Sequence, residues 1–302
     1  MPLKINILFK SLTNSKIFKT IAYCFLLLFL LFIPFSCEDD IDLTPTYIEI
    51  KEFTLKTQSD EGTESHSITD AWIYINDNAQ GVYELPAKFP LLAEGSHKLT
   101  LRAGIKSNGI SATRIYYPFF APLQYNYEFV RDSVYVIKPT VTYHPNVVFK
   151  WLEDFEDGGI SLERSSKSEA DIIKTSAPDK VYEGNYAAKA VLDSNKTFFE
   201  CQTIDAYQLP KAGAPVFLEL NYKNNAEVHV GIYAYTPGQV VQRSVLVLNP
   251  TEQWRKIYVN LTNAVSENIN ATEYRIFFGM IRDEDDSEIR KAFFDNIKLL
   301  HF

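Results

Sequence analysis

Apolar and polar residues alternate at every second position over many short segments of the chain, which is the period of a half-buried β-strand. The run at 97–103 reads HKLTLRA, and the run at 216–221 reads VFLELN. Turn-forming stretches such as Asn76–Gly81 separate these segments. The part of the chain before residue 146 has no long segment with the 3.6-residue period of an amphipathic helix. The pattern therefore predicts an all-β protein.

The alternating segments fall into two groups, separated near His144–Asn146. We predict one β-sandwich domain over residues 47–145 and a second over residues 146–302, since 302 residues suffice for about two domains. Short strands separated by polar turns are typical of two-sheet sandwiches. The 18 Tyr and 21 Phe suit pleated surfaces and also favour β structure.

Two sets of motifs resemble known families. The segment 71–105, AWIYINDNAQGVYELPAKFPLLAEGSHKLTLRAGI, resembles PEGA-like and other immunoglobulin-like modules of bacterial surface proteins. In the second group WLEDFEDG (151–158), YEGNYAAKA (182–190), EQWRKIYVNL (252–261) and AFFDNIKLL (292–300) together resemble the galactose-binding-like jelly roll of many carbohydrate-binding modules. The resemblance implies an immunoglobulin-like sandwich followed by a jelly roll, and binding of a glycan.

The amino terminus has the pattern of an export signal. Four lysines and no acidic residue lie in residues 1–36, and residues 21–35 are almost wholly apolar but shorter than a membrane-spanning helix requires. Ser36-Cys37 followed by Glu38-Asp39-Asp40 resembles the lipobox of bacterial lipoproteins and the acidic tag of surface-exposed Bacteroidota lipoproteins, although Pro34 replaces the usual leucine. We therefore predict a signal peptide (1–36), a lipidated Cys37, an acidic tether (37–46) and anchoring at the cell surface of the outer membrane.

Loss of the four signal lysines would change the net charge from −8 to −12. So acidic a chain, with a pI near 5.3, does not favour nucleic-acid binding. Cys24 would leave with the signal and Cys37 would be acylated, so that Cys201 remains without a disulfide partner. Its strand-like surroundings predict a buried, inert thiol.

Aromatic residues of the second domain form a candidate sugar platform, because flat rings stack on the apolar faces of pyranoses. We select Tyr222, Tyr233, Tyr235 and Trp254, with Arg243 as a hydrogen-bond donor. The alternative is that these side chains fill the sandwich core.

A second candidate is a structural calcium, held by Glu156 at the opening of the second domain and Asp295 in its last strand. In the family that the chain resembles, the two ends of the domain lie side by side. The alternative is a solvated acidic turn with Asp295 paired to a basic residue, since no Asp-x-Asp-x-Asp loop is present.

A third candidate is a partner contact formed by Tyr116, Tyr117, Phe119 and Phe120, an apolar stretch that prolines exclude from a central strand. An exposed loop of this kind would bind protein; the alternatives are packing under the sheet or between the two domains.

The five histidines lack metal-ligand spacing, and the chain has neither a G-x-S-x-G elbow nor a phosphate-binding glycine loop. The sequence therefore favours a non-enzymatic outer-membrane lipoprotein that binds a cell-surface or environmental glycan and needs no cofactor. The alternatives are an accessory subunit of an outer-membrane protein complex and, third, a jelly-roll hydrolase.

Overall fold

The computed structural model describes Thr20, Tyr23–Phe25 and Thr44–Phe302. The chain divides into two compact units, Met1–Leu43 and Thr44–Phe302. In the first unit the described residues are helical, and the predicted lipidation site Cys37 lies outside the described residues. Among the residues that are described, no helix has both the length and the apolar character needed to cross a membrane.

The second unit is built almost entirely of β-strands, which confirms the all-β prediction. In its first half the strands are β1 (Thr46–Ile50), β2 (Thr54–Leu55), β3 (Asp70–Ile75), β4 (Asn78–Glu84), β5 (Ala87–Leu91), β6 (Gly95–Lys106), β7 (Arg114–Tyr116), β8 (Leu123–Phe129), β9 (Val134–Ile137) and β10 (Thr140–Val141). One sheet has the order β5-β1-β9, a second has β4-β3-β6 with both β7 and β8 paired to β6, and β2 pairs with β10.

The second half forms two larger sheets. Its strands are β11 (Val148–Glu153), β12 (Leu162–Arg164), β13 (Ile173–Thr175), β14 (Ala187–Leu192), β15 (Phe198–Thr203), β16 (Val216–Asn224), β17 (Val228–Thr236), β18 (Gln239–Leu248), β19 (Thr251–Asn260), β20 (Glu273–Ile281) and β21 (Arg290–His301), with a 3₁₀ turn at Pro178–Lys180 and a short helix at Thr262–Glu267. Sheet A has the order β13-β14-β21-β16-β19, with β11 also paired to β21. Sheet B has the order β12-β15-β20-β17-β18.

Sheets A and B enclose one hydrophobic core. Leu218 and Leu220 of sheet A belong to the same buried cluster as Ile232 and Phe278 of sheet B. Cys201 lies in this cluster, and burial raises the pKa of its thiol well above the usual range, as expected for an inert cysteine. The alternation read from the sequence thus identifies the inward face of these strands.

A second core joins the first half to the outer face of sheet A. Phe217, Tyr258 and Leu300 of sheet A belong to the same buried cluster as the apolar residues of the first half. The two sequence groups therefore pack against each other within one compact unit. The domain boundary at residues 145/146 falls between β10 and β11 and stays a prediction, as does the immunoglobulin-like character of the first half.

Candidate functional site

The outer face of sheet B carries aromatic and polar side chains that face away from the core. On β17 the residues Val228, Val230, Ile232 and Ala234 are fully buried, so strand alternation places the intervening residues on the outer face. The same alternation gives the outward residues of the neighbouring strands. The outward set is Glu163, Phe198, Glu200, Gln202, His229, Gly231, Tyr233, Tyr235, Val240, Gln242, Ser244, Val247, Glu273, Arg275, Phe277, Gly279 and Ile281.

Tyr233 and Phe277 form the aromatic centre of this face. Their ring centroids lie 5.1 Å apart with an interplanar angle of 45°. Phe277 lies close against Gly231, since a Cβ at Gly231 would come within 2.6 Å of Phe277 Cε1 and would also clash with the Arg243 carbonyl oxygen. The absence of a side chain at Gly231 thus allows the ring to lie across the strand. Beside this pair, the Arg275 guanidinium lies 5.8 Å from the ring centroid of Tyr235.

Polar groups that range from the buried Glu200 to the exposed Gln242 and Glu163 surround the rings. Gln242 donates from Nε2 to Oε2 of Glu200 at 2.8 Å, and Glu200 is only 6% exposed. Burial raises the pKa of the Tyr233 hydroxyl well above its usual range, and the nearby Glu200 carboxylate adds to this effect. On the other side, Arg275 and Gln202 both donate to Oε1 of Glu163, at 2.6 and 3.0 Å. These bonds fix the orientation of the polar groups before any ligand arrives.

A depression of about 360 Å³ lies beside the aromatic centre. Gly279 lies on β20 opposite Glu200 and His229 of the two neighbouring strands. Phe198, Phe277 and Ile281 supply apolar lining, while Glu200, His229, Gln242 and Ser244 supply polar atoms. Its size falls within the range of about 300–1,000 Å³ typical of small-molecule sites. Flat apolar surface beside oriented hydrogen-bonding groups suits a ligand whose rings have one apolar face and a rim of hydroxyls.

The five residues of the predicted sugar platform do not lie together. Tyr233 and Tyr235 share the outer face of sheet B, as predicted. Tyr222 is buried in the core between the sheets, which is the alternative that the sequence left open for it. Trp254 lies on sheet A, where it packs edge-on against Tyr182 with a centroid distance of 5.8 Å. Arg243 pairs with the core residue Ile232, so it lies on the opposite side of sheet B from Tyr233.

Sequence reasoning missed Glu200, Gln242 and Phe277. A signal for Phe277 is present in the sequence, because Ile276 and Phe278 alternate with Arg275 and Phe277, and a buried Ile276 and Phe278 turn Phe277 outward. Glu200 and Gln242 had no such signal, since only the folded sheet brings β15 and β18 to either side of the paired strands β20 and β17.

The predicted partner contact at Tyr116–Phe120 needs correction. Tyr116 is 41% exposed, but Tyr117, Phe119 and Phe120 are at most 5% exposed. Tyr117 and Phe119 contact Phe217 of sheet A edge-on, at centroid distances of 5.4 and 5.9 Å. Three of the four rings therefore fill the contact between the two halves, where an outside partner does not reach them. Burying aromatic surface in this contact is favourable, and this explains the placement.

Glu156 and Asp295 both hold the loop Tyr182–Tyr186. Asp295 accepts hydrogen bonds from the backbone N–H groups of Tyr182 and Glu183, at 3.0 and 3.3 Å, and from that of Asn296. Glu156 accepts bonds from Asn185 and from the backbone of Tyr186. Burial raises the pKa of Asp295 to about 7, although the three backbone donors favour its charged form.

The carboxylate oxygens of Glu156 and Asp295 thus accept hydrogen bonds from N–H groups, whereas a calcium ion binds six to eight oxygen atoms. Among the described residues no cluster of three or more His, Cys, Asp or Glu could hold a metal ion. Calcium binding at Glu156 and Asp295 stays a prediction.

No family model matches the chain, and none of the curated proteins matches it either. Solved structures do match. One of carbohydrate-binding modules from the β-sandwich superfamily is 15% identical, covers 80% of this chain and 86% of its own, and has a TM-score of 0.38. A xylan-binding domain of carbohydrate-binding module family 22 is 14% identical, with 51% and 96% covered and a TM-score of 0.37.

A family 11 carbohydrate-binding module from Clostridium thermocellum, in complex with a β-1,3-1,4-mixed-linked tetrasaccharide, is 13% identical. The match covers 50% of this chain and 94% of that module, with a TM-score of 0.35.

Proposed function

We propose that the protein binds a glycan on the outer face of sheet B and that it is a binding protein rather than an enzyme. The observation that carries the proposal is the arrangement of Tyr233 and Phe277 beside the oriented pair Glu200 and Gln242. Aromatic rings provide stacking surface, and a carboxylate and an amide read hydroxyl groups. The depression at Gly279 extends this surface and gives room for more than one sugar ring.

The proposed location is the cell surface, with the protein anchored in the outer membrane through a lipidated Cys37. Support for this comes from the sequence of residues 1–40, in which a basic segment, an apolar segment and an acidic tag surround Cys37. A binding face carried on an anchored chain would hold glycan close to the cell. An exposed apolar Tyr116–Phe120 loop would have favoured the alternative of an accessory subunit, but three of its four rings are buried.

A glycan array probed with the full chain in detergent tests the proposal, followed by calorimetric titration of each glycan that is retained. Tyr233→Ala should weaken binding by about tenfold or more, as expected for a central aromatic contact. Tyr186→Ala is the matched control, because Tyr186 is 40% exposed and lies near Lys174, away from sheet B. Retention of no glycan, or equal affinities for the wild type and Tyr233→Ala, would refute glycan binding at this face.

A further inference from the structure

A second cavity lies between the first half and the edge strand β19 of sheet A. Its volume is about 440 Å³, which again falls within the range of about 300–1,000 Å³ typical of small-molecule sites. The first half contributes His66 and Lys106 to its lining, and sheet A contributes Asn221, Trp254 and Lys256. We call this cavity the cleft.

Three of the lining residues carry a buried hydrogen-bond donor without an acceptor. These donors are Nδ2 of Asn221, Nε1 of Trp254 and Nζ of Lys256. Asn221 is 1% exposed and the side chain of Lys256 is 2% exposed. Lys256 Nζ lies 3.3 Å from Oε2 of Glu219, a distance that pairs the charges, but this contact lacks the geometry of a hydrogen bond. Unpaired buried donors are unfavourable, so three of them at one cavity indicate a place for a group that accepts hydrogen bonds.

The charged residues that line the cleft favour an anion as its ligand. No Asp or Glu lines the cleft, whereas Lys106, Arg255 and Lys256 do. Lys106 lies 3.5 Å from Glu84 and Lys256 lies 3.3 Å from Glu219, but neither carboxylate lines the cleft. Arg255 pairs with the core residue Tyr222, so its side chain starts from the opposite face of sheet A. The cleft thus presents the ammonium groups of Lys106 and Lys256 beside the unpaired donors. A carboxylate would accept hydrogen bonds from these donors and would be favoured by the cations.

The other lining residues indicate which class of anion the cleft would bind. Trp254 and Tyr182 pack edge-on with a centroid distance of 5.8 Å and give the cleft an aromatic wall. A zwitterionic amino acid would require a carboxylate to receive its ammonium group, and the lining has none. A ring that carries hydroxyls and a carboxylate satisfies both the aromatic wall and the unpaired donors.

We propose that the cleft between the first half and β19 binds a sugar acid, a hydroxylated ring that carries a carboxylate. The donors Asn221 and Trp254 accommodate its oxygens, and the ammonium groups of Lys106 and Lys256 its negative charge. This site is separate from the outer face of sheet B and does not depend on glycan binding there.

Calorimetric titration of the full chain in detergent with glucuronate and galacturonate tests the proposal, with glucose, galactose and succinate as comparison ligands. Trp254→Phe removes one donor and keeps an aromatic ring, and Lys106→Gln removes a charge from the lining at a side chain that is 29% exposed. We expect at least one sugar acid to bind, and each substitution to weaken it by about tenfold. The neutral sugars and succinate should bind at least about tenfold more weakly than the acid.

Two control variants separate this site from other effects. Trp72→Phe removes another buried, unpaired indole N–H, but Trp72 lies on β3 and does not line the cleft. Tyr233→Ala alters only the face of sheet B. Neither should change the affinity for the sugar acid. The proposal fails if neither acid binds, if a neutral sugar or succinate binds as tightly, if both cleft variants retain wild-type affinity, or if Trp72→Phe weakens binding as much as Trp254→Phe.

Discussion

The hydroxyl of Tyr143 bonds to both carboxylate oxygens of Glu219, at 3.0 and 3.1 Å, and thereby joins the first half of the unit to β16 of sheet A. Tyr117 donates a further bond to Glu219 at 2.9 Å, and Lys256 neutralises its charge. Glu219 is fully buried. A buried carboxylate is costly unless its hydrogen bonds are satisfied, so these groups allow the two halves to pack around it.

Tyr143→Phe should lower the free energy of unfolding by about 1–3 kcal/mol, because it leaves a buried carboxylate with one donor fewer. Urea denaturation followed by tryptophan fluorescence measures the change. Tyr116→Phe is the control, since Tyr116 is 41% exposed and should change stability by less than about 0.5 kcal/mol. Equal stability of Tyr143→Phe and the wild type would show that Glu219 does not depend on this donor.

Asp295 should make stability fall as the pH rises between about pH 4 and about pH 7. Burial raises its pKa to about 7 in the folded state, against about 3.9 in an unfolded chain. In this window the folded state holds more protons than the unfolded state, so the free energy of unfolding decreases with increasing pH.

Asp295→Asn keeps an acceptor oxygen and removes the titration. The difference in unfolding free energy, wild type minus variant, should therefore decline across the window and stay constant above about pH 8. A difference that rises with pH would mean that the backbone donors of Tyr182, Glu183 and Asn296 outweigh burial.

The strands of the second half could be predicted from the sequence, but the packing of the first half over the outer face of sheet A could not. Alternation on β16 correctly turns Leu218 and Leu220 inward, and the same pattern suggests solvent around Glu219 and Asn221. Glu219 and Asn221 are at most 1% exposed because the first half packs over them. A polar residue on the outer side of a strand has the same sequence pattern whether water or another part of the protein covers it.

The sequence likewise predicted only part of the candidate site. Tyr233 and Tyr235 share one strand, so their common face follows from alternation alone. Trp254 is equally aromatic, but it lies on the other sheet, and the order of strands in a sandwich depends on long-range pairing that local periodicity does not encode. Aromatic composition therefore predicted a platform but not which rings share it.

Cys37→Ala should abolish membrane anchoring. If Cys37 carries acyl chains, the wild type should fractionate with the outer membrane and partition into detergent on phase separation, because two or more acyl chains give stable anchoring. The variant should lose both properties, whereas Cys201→Ala should not, because Cys201 is buried in the sandwich core. Full retention of the Cys37→Ala protein in the membrane would instead indicate anchoring by another segment.

Gly231→Ala should destabilise sheet B. The added Cβ would clash with the Arg243 carbonyl oxygen and approach Phe277 Cε1 to 2.6 Å, so that β18 or the ring must move. We expect a loss of about 1–3 kcal/mol in the free energy of unfolding, in the range of overpacking substitutions. Unchanged stability would mean that both the backbone of β18 at Arg243 and the Phe277 ring can move away at no cost.

Gly279→Val is the complementary change, because it should preserve the fold and block the binding face. A Cβ at Gly279 would have no neighbour closer than the Phe199 carbonyl oxygen at 3.6 Å, and β-branched residues suit strands. The valine side chain would project into the depression between Phe198, Glu200 and His229 and reduce its volume. Stability should be equal to or above that of the wild type, while affinity for any glycan identified on the array should fall by about tenfold or more. Wild-type affinity in a folded Gly279→Val protein would place the ligand elsewhere on sheet B, nearer Tyr235 and Arg275, where the substitution does not reach.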